Sequence, residues 1–592
     1  MKIIDVFAEV FRVNDTGYSE QAAIILRQIE TVPGYAVLRE RLGEATDISC
    51  DALEMVLGAA ARFSEEILYP VNRAGDIQGC RLENGRVHTP DGYPDVWRKF
   101  VADGWNAIDY TQAEGGQGLP FFVNVACREL FDRAGMAFGM FGASSRAGSQ
   151  VLAAYAEPAL RDEWIAKFAE GRWSAAIAIS EADAGSDVGR IRTRALPSDD
   201  GTWRITGEKM WTTFGDSDMV EGIGHFLLAR TPDAPPGTSG LSLFLVPSVV
   251  PGDGGLVSNG VHVRRIEEKL GLHGSPTCVT GFEDAKGWLI GSIGRGLPQL
   301  FVMLQTMRVM VGVQGIGVAF GAAQTATRYA SERRQGGDPA KPPTPIASHP
   351  DVQRLLLGMA SRVEVLRGLA LEMAIGLDAL PLEPDQTERK RASDVIQWLM
   401  PILKAACSEA AFDVSSDAIQ VLGGAGYTRE WPVEQWLRDA RMMSIAEGSS
   451  GIQALDLVYR KFLRDGGVGL GHFLSVARTE LVGAEPSVRR DASSVLDRLE
   501  RCAGALLALK KSPGEVEAGA TAFLRLATLA ATGWIAARLA SLDPQRDTVN
   551  RRLIAAGRFW LSDLHTRAAF EEAQALAGSE RLALFDALSP TT

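Results

Sequence analysis

The sequence predicts an α+β protein whose strands are gathered into one central block, with helical blocks before and after it. Two observations carry this. Apolar residues recur three and four apart through residues 1–170 and again from Leu297 onward. Between them lie short β-type runs separated by Gly, Pro and Asp clusters: "WSAAIAIS", "TWRITGEKMWTT", "HFLLAR" and "LSLFLVPSVV". Strands and helices do not alternate, which argues against a doubly wound sheet.

The order of blocks follows from the same signals. Residues 1–170 read mainly as helices: "DALEMVLGAAARFSEEILYPVNRAG" has the helical period and is expected to break at Pro70, and "VNVACRELFDRAGM" continues the pattern. The β block spans 171–295 and ends near "GWLIGSIGRG". From 296 to 465 the helical period returns in "LPQLFVMLQTMRVMVGVQGIGVAFGAAQTATRYASERRQ", is interrupted by the Pro-rich "GGDPAKPPTPIASHP", and resumes. "DGGVGLGH" reads as a linker to a last helical block, 466–592.

Composition bounds the function. At 592 residues, with 46% hydrophobic and 23% charged residues, the chain is an ordinary globular protein of several domains. A net charge of −12 argues against a nucleic-acid footprint. Six scattered cysteines without a CxxC pair suit a reducing cytoplasm and give neither a disulfide framework nor a zinc site. The N-terminal "MKIIDVFAEVFRVND" carries Asp5 and Glu9 and does not read as a signal peptide. No uninterrupted apolar run reaches the ~18 residues of a spanning helix, so no transmembrane segment is expected.

Several chemistries drop out. HExxH, P-loop and G-x-S-x-G motifs are absent, and the seven histidines lack metal-ligand spacing, so no metal is expected. "GVQGIG" at 312–317 lies inside a helical stretch, so close helix packing explains it better than a dinucleotide fingerprint. The remaining signals are three polar stretches. "SEADAGSDVGRIRTRA" places Ser180 and Ser186 in a small-residue loop after a β run, suited to a planar or anionic ligand; taken alone, a plain strand-to-strand turn explains it better. "GEKMWTTFG" puts Trp211 and Thr213 on one strand face, suited to a flat heterocycle or to a core Trp. "RMMSIAEGSSGIQAL" sets Glu447 between a helical stretch and a glycine turn, as a helix-end acid or a catalytic base.

Together these stretches resemble the acyl-CoA dehydrogenase family. "SEADAGSDV" is similar to its "TEPGAGSDV", "GEKMWTTFG" to "GEKMWITNG", "QVLGGAGYTREWPVEQWLRDAR" to "QILGGNG…RDA", and "AEGSSGIQ" to "YEGTSQIQ" or "YEGTNGIQ". Order and spacing agree over roughly residues 50–465. "RLENGRVHTPDGYPDVWRKFVADGW" and "EEKLGLHGSPT" resemble the long branch with an extra C-terminal helical domain. That branch includes enzymes oxidising 3-methylmercaptopropionyl-CoA and others acting on longer acyl chains.

The resemblance implies an N-terminal helical domain, a middle β-barrel-like domain, a four-helix bundle and the C-terminal extension. It implies FAD as cofactor. Ser180 would hydrogen-bond the flavin, Trp211 and Thr213 would flank its ring, and Ser449 would lie on the cofactor side. Arg333 would meet the FAD pyrophosphate of a neighbouring subunit, with Gln335 where Thr is usual and His349 at another cofactor-side position. Gln420, Gly423 and Gly424 would receive the ADP half across a homodimer interface. Glu447 would remove the α-proton of an acyl-CoA thioester while flavin N5 takes the β-hydride, giving the trans-2-enoyl-CoA. Ser186 would lie near the thioester end, touching substrate and cofactor, and Arg308 would position CoA and the base loop. Electrons would pass to an electron-transferring flavoprotein, in cytoplasmic fatty-acid β-oxidation.

One departure bears on substrate. Ala446 stands where the family usually has an aromatic residue, which implies a differently shaped pocket. It motivates an alternative reading: a specialised member acting on a heteroatom-substituted, methylthio-propionyl-like or carrier-protein-bound acyl group. A nucleic-acid-binding relative with a basic C-terminal domain is disfavoured, because "DASSVLDRLERCAGALLALKKSPGEVEAGA" mixes acids with bases.

Overall fold

A computed structural model describes residues 17–43 and 46–588. The reading of the first fifteen residues as lacking a signal peptide lies outside the described residues.

Among the described residues the first block is mainly helical, as its periodicity dictates, with a two-stranded hairpin at Arg81–Glu83 and Arg86–His88. Cys50–Phe63 does not break at Pro70 but runs through a π turn, Ser64–Leu68, into the helix Tyr69–Gln78. A π turn widens the hydrogen-bond ring, so the chain stays helical where proline supplies no N–H. Helix α1, Phe121–Ala134, is buried along its whole length and supplies one wall of the core. Asp378 accepts from the Phe121 and Phe122 N–H groups at its start, at 3.0 and 2.8 Å.

The middle block is a closed barrel. Its strands are β1 Trp173–Ala178, β2 Arg194–Pro197, β3 Trp203–Thr213, β4 Gly222–Arg230, β5 Leu241–Pro247, β6 Val261–Ile266 and β7 Thr277–Ile290. The ring runs β7–β3–β2–β4–β5 and back to β7, with β1 parallel to β4 and β6 antiparallel to β7. The five ring strands are paired on both sides, while β1 and β6 pair on one side only. Its own small core is Ala178, Ala195, Ile205, Leu227, Ala229, Phe244, Val246, Phe282 and Ala285. The loop before β7 pins the barrel to its neighbours: the Leu272 N–H donates to Asp439, and His273 and Arg438 both meet Asp76.

The bundle is built from α2 Gly296–Glu332, α3 Pro350–Ala379, α4 Gln386–Leu422 and α5 Ser450–Leu455, the last continuing as a π turn, Asp456–Leu463. The glycines of "GVQGIG" are packing glycines. A Cβ on Gly315 would lie 2.6 Å from the Cys407 carbonyl oxygen, and one on Gly317 2.4 Å from that of Glu129. The linker expected at "DGGVGLGH" is shorter than its glycines suggest, because a helix already starts at Val468 and Asp465 accepts from the Gly467 and Gly469 N–H groups. The extension is helical, centred on α6, Pro513–Ala540.

A buried polar network ties the blocks together. Arg367 on α3 bonds Glu129 on α1 and Glu364; Gln21 and Gln28 reach these two acids, and Arg552 of the extension reaches Glu364. Neither α2 nor α6 is an uninterrupted apolar run, but both are long and apolar enough to cross a membrane by length and composition. In each, 78% of the apolar window is buried inside the protein, where the apolarity serves helix packing.

Candidate active site

The structure sorts the sequence-derived residues into three places. The first is a bulge at the barrel's rim. The β3–β7 register slips between Lys209–Thr280 and Thr212–Cys278, so Met210 and Trp211 together oppose Val279. Trp211 adopts a left-handed φ of 62°, and its indole is 56% exposed. Thr213 is half-buried on that face while Thr212 is buried on the other, as the period of two requires. The Met210 N–H donates to the Ser180 carbonyl at 2.9 Å, which ties the loop carrying Ser180 and the exposed Ser186 to the bulge.

Two residues that sequence reasoning missed hold this loop. Glu181 accepts from the Thr193 hydroxyl and the Arg192 and Thr193 N–H groups, and from the buried Lys209 ammonium at 2.7 Å. Lys209 also donates to the carbonyls of Ile179 and Leu228. Their signal was the acid and base inside otherwise small or β-type segments.

The second place is the turn at Glu447. Glu447 and Gly448 both have left-handed φ, 54° and 86°. The conformation costs a non-glycine residue ~1–2 kcal/mol, so the surroundings must enforce it. Lys404 on α4 donates to the carbonyls of Met443, Ala446 and Gly448 at 2.8, 2.7 and 2.8 Å. Gln453 donates to those of Glu447 and Gly448, both at 3.1 Å. Ser449 caps α5 through its hydroxyl.

Glu447 itself is left without partners among the described residues: neither its carboxylate nor its N–H takes part in a hydrogen bond or ion pair. Desolvation pushes its carboxyl above the ordinary range, and the charges of Lys404 and Arg308 pull it partly back. Arg308 is buried on α2 and pairs with the buried Asp456 at 2.8 Å. Lys404, Gln453 and Asp456 were not legible as site residues; the one clue was a lysine inside the apolar "LMPILKAAC".

The third place is one end of the bundle. Arg333 and Gln335 are exposed where α2 stops, and the His349 Nε2 lies 2.9 Å from the Gln335 carbonyl. Gln420, Gly423 and Gly424 are exposed where α4 stops, with no atom within 4 Å of a Cβ built on either glycine. An edge-on contact between Tyr329 and Trp431 ties the two ends together.

The residues fit a flat cofactor and a polar ligand. An exposed indole and open glycines suit an aromatic ring and a phosphate-bearing chain. Thr212 Oγ1, Thr280 Oγ1, Ser450 Oγ and Gln453 Oε1 are among the buried polar atoms without hydrogen-bond partners. Replacing Trp211 with Ala is expected to weaken binding of a flat aromatic cofactor about tenfold, the equivalent of one aromatic contact. Titration of the apoprotein with the cofactor, followed by absorbance, checks this.

A desolvated carboxylate without a partner suits proton abstraction, and an exposed indole suits a flat aromatic cofactor. Comparison with known proteins names the family. Residues 51–172, 176–285 and 294–462 match the acyl-CoA dehydrogenase N-terminal, middle and C-terminal domains. The chain is 38% identical over 507 residues to 3-methylmercaptopropionyl-CoA dehydrogenase of Ruegeria pomeroyi, covering 84% of this chain and 86% of that one. The fold is similar to that of Caenorhabditis elegans ACDH-11 in complex with C11-CoA, with TM-score 0.77, 20% identity and coverage of 97% and 95%. It is also similar to an acyl-CoA dehydrogenase complexed with FAD from Bacillus anthracis, with TM-score 0.72, 20% identity and 92% of both chains covered. The chain belongs to the acyl-CoA dehydrogenase family and is a flavin-dependent oxidoreductase that uses FAD.

Proposed function

We propose that this enzyme converts an acyl-CoA thioester to its trans-2-enoyl-CoA with Glu447 as the base. The carrying observation is the partnerless carboxylate of Glu447, desolvated and held in a left-handed turn next to its own free N–H. Removing a proton from a carbon α to a thioester needs a strong base and a donor for the enolate oxygen. Desolvation strengthens the base. The Glu447 N–H supplies the donor to the thioester carbonyl, where negative charge develops. Bound FAD supplies the acceptor for the hydride that leaves the β-carbon. Burial raises the Glu447 carboxyl, and the positive charges of Lys404 and of Arg308, the latter fixed by Asp456, oppose that rise and favour the ionised form the base needs.

Ser180, Trp211 and Thr213 would seat the flavin, and Ser186 would lie toward the thioester. The exposed Arg333, Gln335, His349, Gln420, Gly423 and Gly424 would meet the FAD of a second copy in a homodimer. An electron-transferring flavoprotein would take the electrons, in cytoplasmic β-oxidation. Anaerobic mixing of holoenzyme with a panel of thioesters tests the substrate class. Loss of oxidised-flavin absorbance with CoA thioesters, and none with the carrier-bound forms, supports this reading. The reverse pattern would sink it.

The likeness to a 3-methylmercaptopropionyl-CoA dehydrogenase, together with Ala446, supports a second reading, in which the acyl group carries a heteroatom. A methyl group where a ring is usual leaves room beside the reacting carbons. Ala446→Tyr is expected to lower kcat/KM for bulky or heteroatom-substituted acyl-CoAs by about tenfold relative to short unbranched ones. An unchanged profile across the panel would remove Ala446 from substrate selection.

A further inference from the structure

We propose that Lys404 is the positioning residue of the catalytic turn: its ammonium gathers three carbonyls and so holds Glu447 with carboxylate and N–H both free for substrate. This rests on Glu447 being the base.

An ammonium has three donors and no acceptor. Lys404 spends all three on Met443, Ala446 and Gly448, the last two flanking Glu447 and the first one turn before it. With those carbonyls fixed, the peptide planes around Glu447 cannot relax to a right-handed conformation, and the strain of the turn is held in place. Lys404 is fully buried yet forms no ion pair among the described residues. Burying a charge without a counter-ion is expensive, and gathering carbonyls alone does not require a full charge. A charge is needed if the neighbour to be stabilised is an anion.

The groups facing Glu447 bear this out. Arg308 approaches from α2 and is paired with Asp456, with Arg460 on the outer side of Asp456, yet its charge still acts on Glu447. Lys404 approaches from α4 with no acid of its own; Glu409, one turn on, acts on it only at longer range. Burial pushes the Lys404 ammonium down to about 8, and Glu447 is the largest influence pulling it back. Lys404 is therefore the cation beside the base that has no ion pair of its own among the described residues, and the stronger of the two charges acting on Glu447.

The test uses FAD-loaded Lys404→Met and Lys404→Arg. In Lys404→Met, kcat is expected to fall about 100-fold, the cost of a misplaced catalytic group, with KM within about threefold. The midpoint of the rising limb of kcat/KM against pH should move up by about one unit or more, because an opposing charge is gone. Lys404→Arg keeps the charge and should hold that midpoint, yet lose more than about tenfold in kcat, because a planar fork cannot serve three convergent carbonyls. A Lys404→Met holoenzyme with unchanged kcat and midpoint overturns the proposal. If that variant does not load flavin, Lys404→Arg decides: full kcat or a displaced midpoint overturns it. Failure of both to bind flavin assigns the lysine to the scaffold alone and overturns it too. Turnover by Glu447→Gln would instead defeat the base reading, whatever the lysine variants do.

Discussion

Glu447→Gln is expected to lower kcat by about 10³-fold or more, at the upper part of the ~10²–10⁴ range for a positioned acid–base group. Glutamine keeps the shape and the backbone, so the Lys404 and Gln453 bonds to the turn carbonyls survive. What is lost is the acceptor for the α-proton. The pH profile is the more specific readout. The base works ionised, so kcat/KM of the wild type should rise with pH. Because desolvation raises the folded-state carboxyl, the midpoint should lie above the ~4.3 of an unperturbed glutamate. The variant's residual activity should lack that limb. Flavin content and melting should be near wild type, since the side chain bonds to nothing in the protein.

Arg308→Met is expected to have the largest effect on stability among the site residues. Arg308 and Asp456 are both almost fully buried and bonded at 2.8 Å; Arg460, half exposed, reaches the other carboxylate oxygen only at 3.5 Å. Removing one partner of such a pair leaves an uncompensated charge, at a cost of ~3–5 kcal/mol. A chain of several domains does not melt in one step, so the effect should appear as an earlier first transition accompanied by flavin release. The double variant Arg308→Met/Asp456→Leu removes both charges and should recover most of the lost melting temperature. It should not recover kcat, because the positive charge beside Glu447 stays absent. Recovery of both would confine the pair to a structural role.

The order of blocks was legible because burial imposes its period on each element. The strands of the barrel alternate or run apolar, and α2 and α4 carry continuous apolar faces. The burial of Arg308 could be read from the methionines and valines around it. Other features were hidden because their cause lies far away in sequence. The left-handed Trp211 depends on a register slip against β7, whose residues begin more than sixty positions later. The helix persists through Pro70 because of the π turn before it, which has no composition signal. Lys404 precedes the turn it holds by forty-three positions, and a lysine in an apolar helix carries no spacing that points to its partners. Helix propensity and strand alternation are local; the contacts that shape a catalytic turn are not.

The central claim is that Glu447 takes the α-proton. The most direct measurement is a single turnover: holoenzyme and saturating acyl-CoA mixed without oxygen, with loss of oxidised-flavin absorbance followed in wild type and Glu447→Gln. The wild type should lose the band in one fast phase, while the variant binds the thioester and keeps its flavin oxidised at least about 10³ times longer. Reduction of the variant's flavin at the wild-type rate would contradict the account.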